Sequence, residues 1–137
     1  MNTGTILYVE DDENDVFIMQ HALKKALIAH ILKIVTDGAQ AIQYLGGEGQ
    51  FSDREQYPMP FLVLLDLKLP KESGFNVLKW IRARPSIHSL QVVVLSSSNH
   101  PDDIHRALAL GANAYLTKPP TPAGLMEMAG SLKLQDH

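Results

Sequence analysis

Five positions in this chain carry side chains suited to one piece of chemistry. Glu10 and Asp11 open the acidic run Glu10-Asp11-Asp12-Glu13, Asp66 follows the apolar stretch Phe61 to Leu65, Ser96 follows Gln91 to Leu95, and Lys118 precedes Pro119. Carboxylates crowded into one place repel each other, so at neutral pH they require a cation or a raised pKa. A small set of hard oxygen donors that leaves room for water and phosphate suits Mg2+. An aspartate in such a setting can accept a phosphoryl group. Lysine would then supply positive charge and a serine hydroxyl could donate to a phosphoryl oxygen. Transfer of this kind depends mainly on positioning and charge neutralisation.

Singly, each residue has a plainer reading. Glu10 to Glu13 could cap a helix, Ser96 to Ser98 could be ordinary loop, and Lys118 an ordinary surface lysine. Asp66 alone could be a helix cap or a turn aspartate. The joint chemistry requires that the fold bring them together.

The elements that must do so are legible. Thr5 to Val9, Leu32 to Val35, Phe61 to Leu65, Gln91 to Leu95 and Ala114 to Leu116 are short β-prone runs. Pro60 and Pro70 bound the third, which reads as a strand buried on both faces with Asp66 at its C-terminal end. Helical spacing predicts inward faces at Val16, Met19, Leu23, Ala26 and Leu27, then at Ala39, Ile42 and Leu45. It predicts the same for Gly74, Val77, Leu78 and Ile81, for Ile104, Ala107 and Leu108, and for Leu125, Met128, Ala129 and Leu132. Gly46 and Gly47, Pro85 and Gly111 mark helix ends, and Ser73, Pro101, Thr121 and Pro122 mark helix starts. Residues 48–60 read as an exposed connector, and Trp80 as a partly covered surface aromatic.

Alternating strands and helices imply a doubly wound α/β fold, flavodoxin-like, with five parallel strands in the order 2-1-3-4-5 and helices on both faces. That order sets the first strand beside the third, at the crevice where ligands bind in such sheets. Glu10, Asp11 and Asp66 are therefore expected to converge there, flanked by Ser96 and Lys118.

Composition narrows the classes. The 137 residues suit one domain, expected to span 1–137 with a core from about 5 to 132 and no output domain. No cysteine is present, which excludes disulfides and thiolate chemistry, and no apolar run nears the roughly 20 residues of a membrane span. A cytoplasmic protein is expected, without a membrane partner. Twelve Lys and Arg against fifteen Asp and Glu give a net charge of −3 and no basic block, so direct nucleic-acid binding is not expected. His21, His30, His88, His100, His105 and His137 show no pair at i, i+4 and read as surface or capping residues.

The chain resembles the receiver domain of bacterial two-component response regulators from about Thr5 to Leu132. The resemblance is carried by Ile6 to Asp12, Leu64 to Pro70 with Gly74, Val94 to Ser97, Gly111-Ala112 and Tyr115 to Pro119. It implies that Asp66 is the phosphorylation point. It also implies that Asp11 holds Mg2+ directly, Glu10 through water and Lys68 by its backbone carbonyl. By the same resemblance Ser96 is the switch hydroxyl, Lys118 the phosphate-contacting lysine, Tyr115 the aromatic that reports the state, and Lys118-Pro119 a cis peptide. The chain would catalyse only its own phosphorylation and dephosphorylation.

The acidic opening and Asp66-Leu67-Lys68-Leu69-Pro70-Lys71 are also similar to stand-alone regulators paired with phytochrome-type kinases. A sensor histidine kinase, a downstream protein target and a homodimer are the implied partners. Other readings of the same fold are a phosphorylation-independent adaptor, an aspartate-nucleophile phosphatase and a flavodoxin-like cofactor binder. The phosphatase would want a second acid where Lys68 stands, and the cofactor binder a Ser/Thr/Gly-rich loop where Glu10 to Glu13 stand.

Overall fold

In the computed structural model residues 4–28 and 30–132 are described, and His137 lies outside them. Five parallel strands form one sheet: β1 (Gly4–Val9), β2 (His30–Val35), β3 (Leu62–Asp66), β4 (Gln91–Ser96) and β5 (Ala114–Thr117). Their order is β2-β1-β3-β4-β5. The crossovers are α1 (Glu13–Lys25), α2 (Gly38–Gly46), α3 (Gly74–Ala83) and α4 (Pro101–Ala109), and α5 (Pro122–Ser131) follows β5. None of the described helices is long and apolar enough to cross a membrane.

Side-chain alternation divides the core into two layers. Leu7, Val9, Val63, Leu65, Val92 and Val94 face α2, α3 and α4, whereas Ile6, Tyr8, Leu62, Leu64, Val93 and Leu95 face α1 and α5. Strands buried on both faces must be apolar at every position, which is why the central ones read as unbroken hydrophobic runs. Register then aligns the carboxyl ends. Val9 pairs with Leu65, Asp66 with Leu95, and Ser96 with Thr117, so Glu10, Asp66, Ser96 and Lys118 all emerge at one edge.

Helix caps hold the connecting loops. Asp12, Asp37, Ser73 and Thr121 each accept a backbone N–H in the first turn of α1, α2, α3 and α5, and Pro101 and Pro122 sit at the starts of α4 and α5. Gly74 is required by close approach. A Cβ there would lie 2.3 Å from the Asp66 carbonyl oxygen.

Several expected inward positions are not buried. Leu27 is 87% exposed and takes a left-handed backbone (φ 60°). α1 has already ended at Lys25, and the Leu27 and Ile28 amides turn back to the Lys24 and Leu23 carbonyls in a Schellman closure. Leu108 is 46% exposed because α4 meets the core through Ala107, and the next residue lies about 100° round the helix. In α2 the buried residues are Gly38, Ala41, Tyr44 and Leu45 rather than Ala39 and Ile42.

The connector 48–60 is anchored as well as exposed. Phe51 is buried, and Tyr44, Phe51 and Tyr57 pack as an aromatic trio with centroids 5.1 to 5.8 Å apart. Arg54 donates to the Tyr44, Leu45 and Tyr57 carbonyls, capping the end of α2. Tyr44 turns toward that trio, which rotates the buried stripe of α2 away from Ile42. Trp80 is partly covered, with the Arg84 guanidinium 4.6 Å from its ring centroid.

Candidate functional site

Glu10 leaves β1 with its backbone still in the sheet, its amide donating to the Val35 carbonyl at 3.0 Å. Its carboxylate is 1% exposed and well satisfied. Tyr8 Oη donates to Oε1 at 3.1 Å, and the Asp11 and Asp12 amides donate to Oε2 at 3.1 and 3.3 Å. Burying a charge without such partners would cost several kcal/mol. The run of acids divides its labour: Asp12 turns back as the α1 cap, accepting from the Asn14 and Asp15 amides, and Asp11 stays exposed.

Asp66 is 6% exposed at the end of β3. Its Oδ1 accepts from the Lys68 amide at 3.3 Å, while the Lys68 side chain is exposed. Just past β5, Lys118 Nζ donates to Asp66 Oδ2 at 3.2 Å, to Glu10 Oε1 at 2.5 Å and to Asp15 Oδ2 at 2.9 Å. The Lys118-Pro119 peptide is cis. At the end of β4, buried Ser96 accepts the Ser98 amide at its hydroxyl (3.0 Å), and its carbonyl accepts the Lys118 amide at 2.8 Å. Tyr115 Oη donates to the Ser98 carbonyl at 2.7 Å.

Electrostatics follow from burial and crowding. Burial pushes Glu10 up to about 7, the Lys118 hydrogen bond pulls against it, and the Asp66 charge adds to the rise. Burial alone would lower the Lys118 pKa. Hydrogen bonds to Glu10 and Asp15, with the Asp66 charge, outweigh it and hold the ammonium above the usual lysine range. Burial and the neighbouring Glu10 raise the Tyr8 phenol, which stays a donor.

The structure thus brings Glu10, Asp11, Asp66 and Lys118 together. One carboxylate oxygen from each of the three acids lies within 4.8 Å of the others. Such a set, all hard oxygens and open on the Asp11 side, fits a small divalent cation that keeps several waters. Ser96 and Tyr115 are linked through Ser98, which sequence reasoning had treated as loop. Asp15 is not among the residues that the sequence singles out. Its one visible signal was its place three residues after the capping Asp12, in the first turn of the helix that follows Glu10.

Comparison with known proteins agrees with this geometry. The family model of the response regulator receiver domain matches residues 6–130. Response regulator Rcp1 of Synechocystis sp. (strain PCC 6803) is 38% identical over 128 residues, covering 93% of this chain and 85% of the relative. The Mn(2+)-bound form of Rcp1 superposes with a TM-score of 0.80 at 37% identity, covering 98% of this chain and 96% of that one. Bacteriophytochrome response regulator RtBRR gives a TM-score of 0.86 at 38% identity, covering 96% and 78%. The phosphorylated cyanobacterial phytochrome response regulator RcpA gives 0.80 at 35%, covering 96% and 92%. With a sheet order, a carboxyl-edge acid cluster and a family match over residues 6–130 that all agree, this chain belongs to the response regulator receiver domain family of two-component signalling.

Proposed function

We propose that this chain works in the cytoplasm as a receiver, taking a phosphoryl group from the phosphohistidine of a phytochrome-type sensor kinase onto Asp66. The carrying observation is the contact of Lys118 Nζ with Asp66 Oδ2 at 3.2 Å, inside the cluster that also holds Glu10 and Asp11. Support for the kinase class comes from relatives named as phytochrome or bacteriophytochrome response regulators that match this chain nearly end to end.

An Asp66 oxygen attacks phosphorus as the P–N bond of the donor breaks, and the bond's electron pair returns to the imidazole nitrogen. An acyl phosphate on Asp66 results. Asp11, Asp66, Glu10 and the Lys68 carbonyl would hold Mg2+, which supplies charge neutralisation around the transferred group when bound. Lys118 adds a fixed positive charge beside Asp66, and the Ser96 hydroxyl is the donor on the β4 side.

New acceptor oxygens on Asp66 draw the Ser96 O–H toward them as a donor, and that movement disturbs the bond by which the Ser96 oxygen accepts the Ser98 amide. Tyr115, bonded to the same Ser98, transmits that change to the α4 and β5 surface, where a downstream protein or a second copy reads it. A phosphoryl group shifts such an equilibrium only by its different interaction with the two states.

Acetyl phosphate with Mg2+ tests the reading directly. Mass spectrometry should show one added phosphoryl group, absent in Asp66→Asn; labelling that persists in that variant would overturn it. A phosphotransfer profile against phytochrome-type and unrelated histidine kinases tests the partner class.

A further inference from the structure

Lys118 has three ammonium hydrogens and meets three carboxylates, on Glu10, Asp15 and Asp66, while only 13% of its side chain is exposed. Two of these acids, Glu10 and Asp66, belong to the group whose oxygens converge within 4.8 Å, and Asp15 does not. A cation that draws on Glu10 and Asp66 therefore competes with Lys118 for both. The Asp15 bond, at 2.9 Å, is outside that competition. Its geometry is set locally: Asp12 accepts the Asp15 amide at 3.3 Å, which locks the first turn of α1 and aims the Asp15 carboxylate at Lys118.

We propose that Asp15 is a positioning residue for Lys118, retaining the ammonium beside Asp66 when Glu10 and Asp66 are engaged by the cation and the phosphoryl group. The proposal rests on the phosphoryl-acceptor reading above. Its consequence is a lower cost of cation entry. With Asp15 present, Lys118 gives up part of two bonds and keeps the third; without it, the ammonium must either hold Glu10 and Asp66 against the cation or lose every carboxylate partner. A buried ammonium stripped of partners is strongly disfavoured, so cation affinity should fall.

Removing a nearby negative charge would also weaken a cation, and a double-mutant cycle separates the two effects. Calorimetric Mg2+ and Mn2+ affinities are measured for the native chain, Asp15→Asn, Lys118→Met and the double variant, with thermal midpoints to establish folding. Asp15→Asn should weaken the cation about fivefold in the native background and less than about twofold when Lys118 is already Met. Asp15→Glu should restore most of the affinity. Equal losses in both backgrounds would overturn the proposal and leave Asp15 as a bystander charge.

Should Lys118→Met fail to fold, the lysine itself is the reporter. A slowly exchanging Lys118 ammonium resonance, observed by 15N NMR in the Mg2+-loaded native chain, should vanish in Asp15→Asn; its persistence there would equally overturn the proposal. Both measurements read the pairing without phosphorylation. If Asp66→Asn retained its label, the phosphoryl-acceptor reading would fail while the affinity cycle still reported whether Asp15 acts through Lys118.

Discussion

The Tyr115 hydroxyl donates to the Ser98 carbonyl at 2.7 Å, tying β5 to the loop that leads into α4. Ser98 holds three further links: its amide donates to the Ser96 hydroxyl, and its own hydroxyl donates to Asp103 Oδ2 at 2.8 Å and accepts the His100 amide at 3.2 Å. One residue thus connects the carboxyl end of β4, the aromatic of β5 and the first turn of α4. Tyr115→Phe should cost about 1 kcal/mol in urea unfolding. Amide exchange should rise around Ser98 and the start of α4, while phosphorylation by acetyl phosphate persists. Unchanged exchange there would show that the hydroxyl does not hold the loop.

Arg82 fastens the opposite end of α4. Its guanidinium donates to the carbonyls of Gly111, His88 and Leu90 and to Asn113 Oδ1, all between 2.7 and 3.0 Å. Burial lowers its pKa from the usual arginine value, yet not enough to remove the charge. Arg82→Ala leaves several carbonyls short of a donor and should cost about 2–3 kcal/mol by denaturant midpoint. Arg82→Lys should recover little, because one ammonium cannot reproduce the planar fork.

Gly74 bears on the site through its backbone. With a Cβ 2.3 Å from the Asp66 carbonyl oxygen and 2.8 Å from Leu67 Cα, Gly74→Ala must push α3 away from the end of β3. A loss of about 1–3 kcal/mol is expected from overpacking. Acetyl phosphate labelling should slow beyond what the stability loss explains, since the Asp66 backbone moves. Native labelling at native stability would show that α3 accommodates the methyl group.

Glu10 should make both stability and cation binding depend on pH. Its folded pKa of about 7 lies above its ordinary value of 4.5, so the folded chain binds more protons between the two. That contribution is fully present below about 4.5 and is lost as pH rises through about 7. Cation-free thermal midpoints should decline across this window, and Glu10→Gln should flatten the slope. A cation needs the ionised carboxylate, so Mg2+ binding at pH 6 should release protons, measurable as a buffer-dependent heat. Equal heats in buffers of different ionisation enthalpy would refute it.

Leu27 is a correctable defect. An exposed leucine holds the left-handed position of a Schellman closure at φ 60°, where glycine carries no Cβ penalty. Leu27→Gly should stabilise the chain by about 1 kcal/mol in urea unfolding, leaving the site unaffected. A loss of stability would mean that the side chain makes contacts that outweigh the strain.

Much of the scaffold and the main acids were readable because they obey local rules. Apolar runs bounded by proline mark β3, helix caps at Ser73 and Thr121 follow from residue type, and parallel connectivity sets Glu10 beside Asp66 once the strands are assigned. Less was readable where a residue's partner is far along the chain. Ile42 was chosen by periodicity, yet Tyr44 won the buried face through contacts with Phe51 and Tyr57.

By itself, then, the sequence determined the alternation of strands and helices, the carboxyl-edge location of Glu10, Asp11, Asp66, Ser96 and Lys118, and the chemistry those residue types can support. Only the tertiary structure decided which carboxylates Lys118 touches, that Asp12 caps while Asp15 pairs, and that Ser98 joins Ser96 to Tyr115. The reason is range. Period and propensity act over a few residues, whereas Asp15 and Lys118 are 103 residues apart, and their 2.9 Å contact exists only after α1 and β5 have packed on the same sheet.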